Sequence, residues 1–239
     1  MTRKSLQHMA QAVAFVWLTA TGLVAAADSV DSTRQTVPAA YQACEVCHGV
    51  RLGGNYGVRA PRISGLPAWY VENQLEGFKH NFRGQLPEDS AGLEMQPIAA
   101  QLNPGEVSEA AAFVSHLSSP LPPDVFRIQG NVQSGEHLYT SCAVCHGDQG
   151  QGNPAVEAPP LTIQDGWYLA TQLRHFREGI RGAVPGDLRG AQMRAATRVL
   201  SEDQNIDDIA AYLEQLRGFR NSPESDRPQP DISTTRHQP

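Results

Sequence analysis

Cys44-Glu45-Val46-Cys47-His48 is followed, 98 residues later, by Cys142-Ala143-Val144-Cys145-His146. These two pentapeptides hold all four cysteines of the 239-residue chain. C-x-x-C-H is the attachment pattern of a c-type haem, whose vinyl groups bond to the two thiols while the next histidine meets the iron. The spacing has a physical reason: residues three and four apart share one face of a helix. Cys44 and Cys47 can thus reach two edges of one macrocycle while His48 stands against its centre, and Cys142, Cys145 and His146 repeat the arrangement. Two other uses of paired cysteines fit less well. The paired cysteines of a zinc ribbon lie far closer than 98 residues. A thioredoxin-like disulfide needs no histidine directly after each pair. The expectation is two covalently held haem c groups, and two of them in a chain this short point to electron transfer.

The same offset matches far more than cysteines, and self-similarity at a fixed period decides the architecture. Ala60-Pro61 pairs with Ala158-Pro159, Trp69-Tyr70 with Trp167-Tyr168, and Gln74-Leu75 with Gln172-Leu173. Phe78 pairs with Phe176, Arg83-Gly84 with Arg181-Gly182, Met95 with Met193, and Leu102 with Leu200. The offset then becomes 99, aligning Ala112-Phe113 with Ala211-Tyr212 and Leu117 with Leu216. Two long units indicate a tandem duplication of one domain, over residues 28–119 and 131–218. A Pro-containing linker, residues 120–130, separates them, because proline removes donors and favours an extended connection. Residues 219–239 are polar and Pro-rich and read as a disordered tail.

The N-terminus reads as a secretory signal, residues 1–27. Arg3 and Lys4 supply the positive start, an apolar run extends to Val24, and Ala25-Ala26-Ala27 fits a cleavage site. The run is short and polar-interrupted for a membrane span, so retention as an anchor is the weaker alternative. Export agrees with covalent haem attachment and places the protein in the periplasm. The formal charge is −6, and −8 without Arg3 and Lys4. That balance argues against nucleic acid as a partner, which calls for a basic patch. Aromatic residues make up 7% of the chain, so a haem in each domain supplies apolar bulk that side chains lack.

The fold class expected is all-α. A helix runs into each haem motif, over 38–48 and 132–146, and Gly-rich loops follow at Gly53-Gly54 and Gly150-Gln151-Gly152. A second helix carries the Trp-Tyr pair near 67–80 and 165–178, and a methionine loop with a short helix comes next. The last helix of unit one starts with Asn103 as N-cap, Pro104 at the first position and Glu106 in the first turn. In unit two, Ser201 and Gln204 have capping-box spacing. Ile206, Ile209, Ala210 and Leu213 recur at helical spacing.

The far side of each iron needs a ligand. Met1 and Met9 fall in the signal, which leaves Met95 and Met193, each 47 residues after its histidine. Matched isolated methionines are poorly explained as core filler and are expected as axial ligands, so that iron is held by His48 with Met95 and by His146 with Met193. Neither His80, His116, His137 nor His175 has a histidine at the equivalent position of the other repeat. Pro61 and Pro159, each 13 residues after the histidine, place a carbonyl where it can orient the imidazole; a plain turn proline is the competing reading. Trp69 and Trp167 are candidates for packing on the haem or presenting an indole N–H to a propionate, with ordinary core packing the preferred reading.

With these residues in place, the chain resembles the dihaem cytochrome c4 family over about residues 38–217. CEVCHG, APRISG, WYVENQLEGF and EMQPIA carry the likeness in the first repeat, and CAVCHG, APPLTI, WYLATQLRHF and AQMRAA in the second. The resemblance implies two class I cytochrome c domains facing each other across a pseudo-two-fold axis, with His/Met ligation at both irons. It implies an electron carrier with no catalytic residues, working between periplasmic or membrane-bound redox proteins, a terminal oxidase among the possible acceptors. A dihaem enzyme, of peroxidase or thiosulfate-oxidising type, is one alternative. A permanent cytochrome subunit of a dehydrogenase such as sulfide dehydrogenase is another.

Charge differs between the repeats. Residues 174–198 hold Arg174, Arg177, Arg181, Arg189, Arg194 and Arg198 against Glu178 and Asp187, a net +4. The equivalent span 76–100 carries a net −2. Two explanations compete: docking of oppositely charged partners at the two haem edges, or charges that meet at the domain interface or hold haem propionates. The second needs no external protein and is preferred.

Overall fold

The computed structural model describes residues 37–119 and 127–221. The expected signal peptide, the first seven linker residues and residues 222–239 lie outside the described residues.

Among the described residues there are eight α-helices, arranged as two sets of four. The first set is α1 (Gln42–His48), α2 (Ala68–Lys79), α3 (Ser90–Gln101) and α4 (Pro104–His116). The second is α5 (Val132–His146), α6 (Gly166–Glu178), α7 (Leu188–Ala196) and α8 (Asp203–Asn221). No strand occurs among them, only two isolated antiparallel bridges, Asn55 with Ala60 and Asn153 with Ala158. The chain is all-α, as its periodicity dictates.

Each set buries one apolar stripe per helix. In the first, Val71, Leu75 and Phe78 of α2 meet Val107, Ala111 and Val114 of α4. Both triplets run i, i+4, i+7 and share a face. In the second, α8 supplies Ile206, Ile209, Ala210 and Leu213, all buried, against α5 and α6. The helix entering each haem motif is fastened to the last helix by matched aromatic pairs. Tyr41 stacks on Phe113 with centroids 4.6 Å apart, and Tyr139 lies 5.5 Å from Tyr212. The α5–α8 crossing is close enough that a Cβ on Gly135 would collide with the Asp208 carbonyl.

The capping box at α4 is complete: Glu106 N–H donates to Asn103 Oδ1 at 3.1 Å, and Asn103 N–H donates to Glu106 Oε2 at 2.8 Å. The start of α8 differs from the Ser201/Gln204 expectation. The helix begins at Asp203, and Glu202 N–H donates to Asn205 Oδ1 at 3.2 Å, one residue further on. Gln204 instead donates to Asp208 at 2.7 Å, one turn ahead along the same helix. Residues 219–221 continue α8, where a tail was expected. At the linker's far end Ile128 N–H donates to Glu214 of α8 at 3.1 Å, and Gly166 N–H at the start of α6 donates to the same carboxylate at 2.9 Å.

Candidate haem-binding sites and the interface between them

Each C-x-x-C-H segment ends its helix, α1 or α5. His48 and His146 are buried, at 8% and 5% exposure. The chain leaves through a glycine, folds back, and closes a small loop. Gly54 N–H returns to His48 O at 2.8 Å, and Asn55 and Ala60 exchange backbone hydrogen bonds of 2.8 and 3.1 Å. The second repeat does the same with Gly152, Asn153 and Ala158. That closure brings the next residue, proline, over the imidazole. His48 Nδ1–H donates to Pro61 O at 2.7 Å, and His146 Nδ1–H to Pro159 O at 2.9 Å.

A carbonyl can only accept, so the proton sits on Nδ1 and Nε2 keeps its lone pair. Burial pushes both imidazoles below their usual pKa, and the proline carbonyls pull only partly the other way. Each ring is thus neutral and oriented, the state in which imidazole binds a metal. None of the four cysteines forms a disulfide: Cys44 and Cys142 are half-buried and pushed up in pKa by that burial, while Cys47 and Cys145 are exposed. Among the described residues no three His, Cys, Asp or Glu side chains converge as a zinc ribbon would require. Two thiols and one neutral imidazole per repeat are the donor set that a covalently held haem takes.

Met95 and Met193 sit on helices α3 and α7, where a loop was expected. Asp89 and Asp187 start these helices early by accepting from Gly92 N–H at 3.0 Å and Gly190 N–H at 2.8 Å. Met95 is half-buried and packs on the same apolar cluster as Cys44; Met193 is also half-buried. Apolar side chains remain exposed on the same helices, Leu93 and Ile98 on α3 and Leu188 on α7, surface that an apolar macrocycle can cover. Trp69 lies edge-on to Tyr70 at 5.7 Å. Trp167 is buried, edge-on to Tyr168 at 5.7 Å and to Tyr56 of the first repeat at 5.4 Å. His80 and His116 are exposed and bonded to their own helices, and His137 is exposed.

The matched residues that haem attachment does not explain gather where the repeats meet. Arg83 Nη1 donates to Gln74 Oε1 at 2.8 Å, and Arg181 Nη1 to Gln172 Oε1 at 2.5 Å, each within its repeat. Across the interface Arg83 Nη2 reaches Tyr168 Oη at 3.1 Å and Gln172 Oε1 at 3.5 Å, and Arg181 Nη2 reaches Gln74 Oε1 at 3.1 Å. Reciprocal contacts of this kind are the mark of a two-fold axis. Each guanidinium also lies over an aromatic ring, Arg83 over Phe78 at 4.4 Å and Arg181 over Phe176 at 4.3 Å.

A second polar layer ignores the two-fold. Arg217 donates to Asp165 Oδ1 at 2.8 Å and to Gln164 O at 3.1 Å, and Gln164 Nε2 donates to Arg62 O at 2.7 Å. Arg62 Nε stands 3.8 Å from the same Asp165, and all four residues are buried. His175 Nδ1 lies 3.8 Å from Asp89 Oδ1, also across the interface.

The arginine excess of the second repeat is mostly cancelled inside that repeat. Arg174 pairs with Asp207 at 2.6 Å, Arg177 with Asp203 at 2.5 Å, and Arg189 with both oxygens of Glu157 at 2.5 Å. Asp203, Asp207 and Glu157 lie outside the span 174–198, so a charge count over that span alone overstates the patch. Only Arg181 crosses the interface in the way expected of the group. Sequence reading assigned no functional role to Gln74, Gln172 or Tyr168, although all are matched between repeats. Polar residues held at equivalent positions with no role in the haem motif were the signal.

Two four-helix units, each ending a helix in two unpaired cysteines and a buried histidine, define a dihaem c-type cytochrome. Residues 36–118 and 132–217 each match the cytochrome c family, and the chain belongs to it. Within that family it is cytochrome c4-like. It is 32% identical over 185 residues to the thiosulfate dehydrogenase electron acceptor of Stutzerimonas stutzeri, covering 74% of this chain and 79% of that protein. It is 28% identical over 182 residues to cytochrome c4 of Azotobacter vinelandii, covering 72% and 84%. Among solved structures, reduced recombinant cytochrome c4 from Pseudomonas stutzeri superposes with a TM-score of 0.56 at 25% identity, covering 73% of this chain and 93% of that one. The chain is a dihaem electron-transfer cytochrome carrying two haem c groups.

Proposed function

We propose that the protein is an exported electron carrier whose irons are held by His48 with Met95 and by His146 with Met193. The observation that carries this reading is the repeated histidine–carbonyl bond, 2.7 Å to Pro61 and 2.9 Å to Pro159, with a lone methionine 47 residues after each histidine. Each haem supplies a one-electron ferric/ferrous couple. The residues fix how that couple behaves. Pro61 and Pro159 hold each ring in one tautomer and orientation. The thioethers of Met95 and Met193 favour the ferrous state and raise the potential. Held by His48 with Met95 and by His146 with Met193, the irons would leave no site for a substrate, and electrons would pass by outer-sphere transfer between proteins.

Residues 28–119 and 131–218 form the two electron-transfer units in this reading. Arg3-Lys4, the apolar run after them and Ala25-Ala26-Ala27 support export to the periplasm. The relative named as the electron acceptor of thiosulfate dehydrogenase supports an oxidoreductase of that class as donor, with a membrane-bound terminal oxidase as acceptor. The test is an optical spectrum of the exported protein, ferric and then ferrous with carbon monoxide. A methionine–ferric charge-transfer band at two-haem stoichiometry and no carbon monoxide shift are expected. Carbon monoxide binding at either haem would overturn the closed His/Met assignment.

A further inference from the structure

The two repeats close their haem sites differently at the surface. Arg189 Nε and Nη2 donate to the two carboxylate oxygens of Glu157, both at 2.5 Å. Glu157 ends the turn Pro154–Val156 and lies two residues before Pro159, whose carbonyl orients His146. Arg189 is the second residue of α7, four positions before Met193. Residues four apart share a helix face, so Arg189 and Met193 stand on the same side of α7. The pair therefore ties the histidine loop of the second repeat to its methionine helix.

The first repeat has the same backbone without the tie. Its loop closes with the matching Asn55–Ala60 bridge, and Arg59 sits at φ 55° where Glu157 sits at φ 54°. Asp89 caps α3 as Asp187 caps α7. The offset of 98 sets Arg59 against Glu157 and Ala91 against Arg189. The first repeat thus has a cation where the second has its anion, and a methyl group where the second has its cation. Helix stability does not explain Arg189, because a cation in the first turn opposes the helix dipole. Glu157 offsets that cost from outside the helix. Its hydrogen bonds from Arg189 hold the carboxyl below the usual range, so the pair is charged at neutral pH.

We propose that Arg189 is a positioning residue for Met193: bound to Glu157, it straps the methionine helix to the histidine loop and leaves the first haem as the site where an external ligand more readily displaces methionine. The proposal rests on the His/Met reading of both irons. Exchange of a ferric methionine for a neutral nitrogen ligand breaks one iron–sulfur bond and forms one iron–nitrogen bond, with no change of oxidation state. Room for the incoming ligand comes from movement of the methionine helix. At the second site that movement parts Arg189 from Glu157. At the first, Arg59 and Ala91 have no ion pair to break. The side chains of Arg189 and Glu157 are 53% and 47% exposed, so the strap is a modest one and is weakened by salt.

The test is a titration of the ferric holoprotein with imidazole, followed through the hyperfine-shifted proton NMR signals of each haem. A methionine–ferric band at two-haem stoichiometry before imidazole is added checks the His/Met reading by itself, and its absence would overturn that reading and the strap with it. With the band present, imidazole is expected to convert the first haem at lower concentration than the second. Arg189→Ala and Glu157→Gln are each expected to tighten imidazole binding at the second haem about three- to fivefold and to leave the first unchanged. The exchanged pair, Arg189→Glu with Glu157→Arg, should restore the affinity of the unaltered protein, an outcome that general destabilisation cannot produce. Added salt should tighten binding at the second haem of the unaltered protein alone. Conversion of the second haem first, equal tightening at both, no change at the second, or an exchanged pair that behaves like the single variants would overturn the strap.

Discussion

Gln74 Oε1 accepts from Arg181, 107 positions later in the chain, at 3.1 Å while also accepting from Arg83 at 2.8 Å. One amide oxygen thus joins two repeats and two cations. Gln172 is its counterpart, at 2.5 Å from Arg181 and 3.5 Å from Arg83. A glutamine suits the place because it is neutral and its oxygen carries two lone pairs. A carboxylate there would neutralise one of the cations.

Gln74→Leu keeps the bulk of the side chain and removes the acceptor. Hydrogen bonds to charged groups contribute about 1.5–3 kcal/mol each when a partner is deleted. Denaturant unfolding of the ferric holoprotein should show a loss of at least about 2 kcal/mol. An unchanged midpoint would mean that the amide oxygen is not holding the interface.

The thiols of one repeat should act without the other. Replacing Cys44 and Cys47 by alanine is expected to halve covalent haem content, leaving the group on Cys142 and Cys145. Intact-mass and peptide measurements read this directly. A protein still carrying two covalent haems would place attachment elsewhere.

Two stability changes separate surface from core. Asn103→Ala removes half of the capping box of α4 and should cost about 1 kcal/mol. Leu213→Ala opens a cavity among Ile209, Leu216 and their neighbours in the second core and should cost about 2–5 kcal/mol. Denaturant midpoints of the two variants should therefore fall in that order, and equal losses would contradict the packing described.

His175 gives the interface a pH dependence whose sign is fixed. Burial lowers its pKa below the usual 6.5 more than Asp89 raises it, with Arg181 and Arg83 adding to the lowering and Glu178 opposing it. Below about pH 6.5 the unfolded chain takes up a proton that the folded protein resists. Stability therefore falls as the pH drops through that window and is regained as it rises. His175→Gln should flatten the decline between about pH 6.5 and pH 5.5, measured by denaturant titration at both. Parallel declines in the variant and the unaltered protein would show that this imidazole does not titrate on unfolding.

The haem sites were legible in the sequence because their chemistry is local. Cys44, Cys47 and His48 fall within five consecutive positions, and Pro61 lies one short loop away. Duplication made the rest of each unit legible too, since a residue such as Leu75 or Phe78 has its counterpart in Leu173 or Phe176. The methionine helices were harder to see. Asp89 and Asp187 cap through Gly92 and Gly190, each the third residue of its helix, and a start that contains glycine looks like a loop.

The asymmetric layer had no sequence signature at all. Arg217 meets Asp165 and Gln164, and Gln164 meets Arg62, across 52 to 102 positions. The offset of 98 pairs Asp165 with Pro67 and Arg62 with Pro160, so the duplication itself hides these contacts. The charge excess over 174–198 misled for a related reason. Its counter-charges Glu157, Asp203 and Asp207 are close in space but outside the span.

The two haem sites are expected to exchange electrons within one molecule, through its own interface. Pulse reduction of the fully ferric protein with less than one electron per molecule tests it most directly. Initial reduction should be followed by a first-order redistribution between the two haems, with a rate constant independent of protein concentration. A redistribution rate that scales with protein concentration would mean that electrons move only between molecules, and would contradict the account.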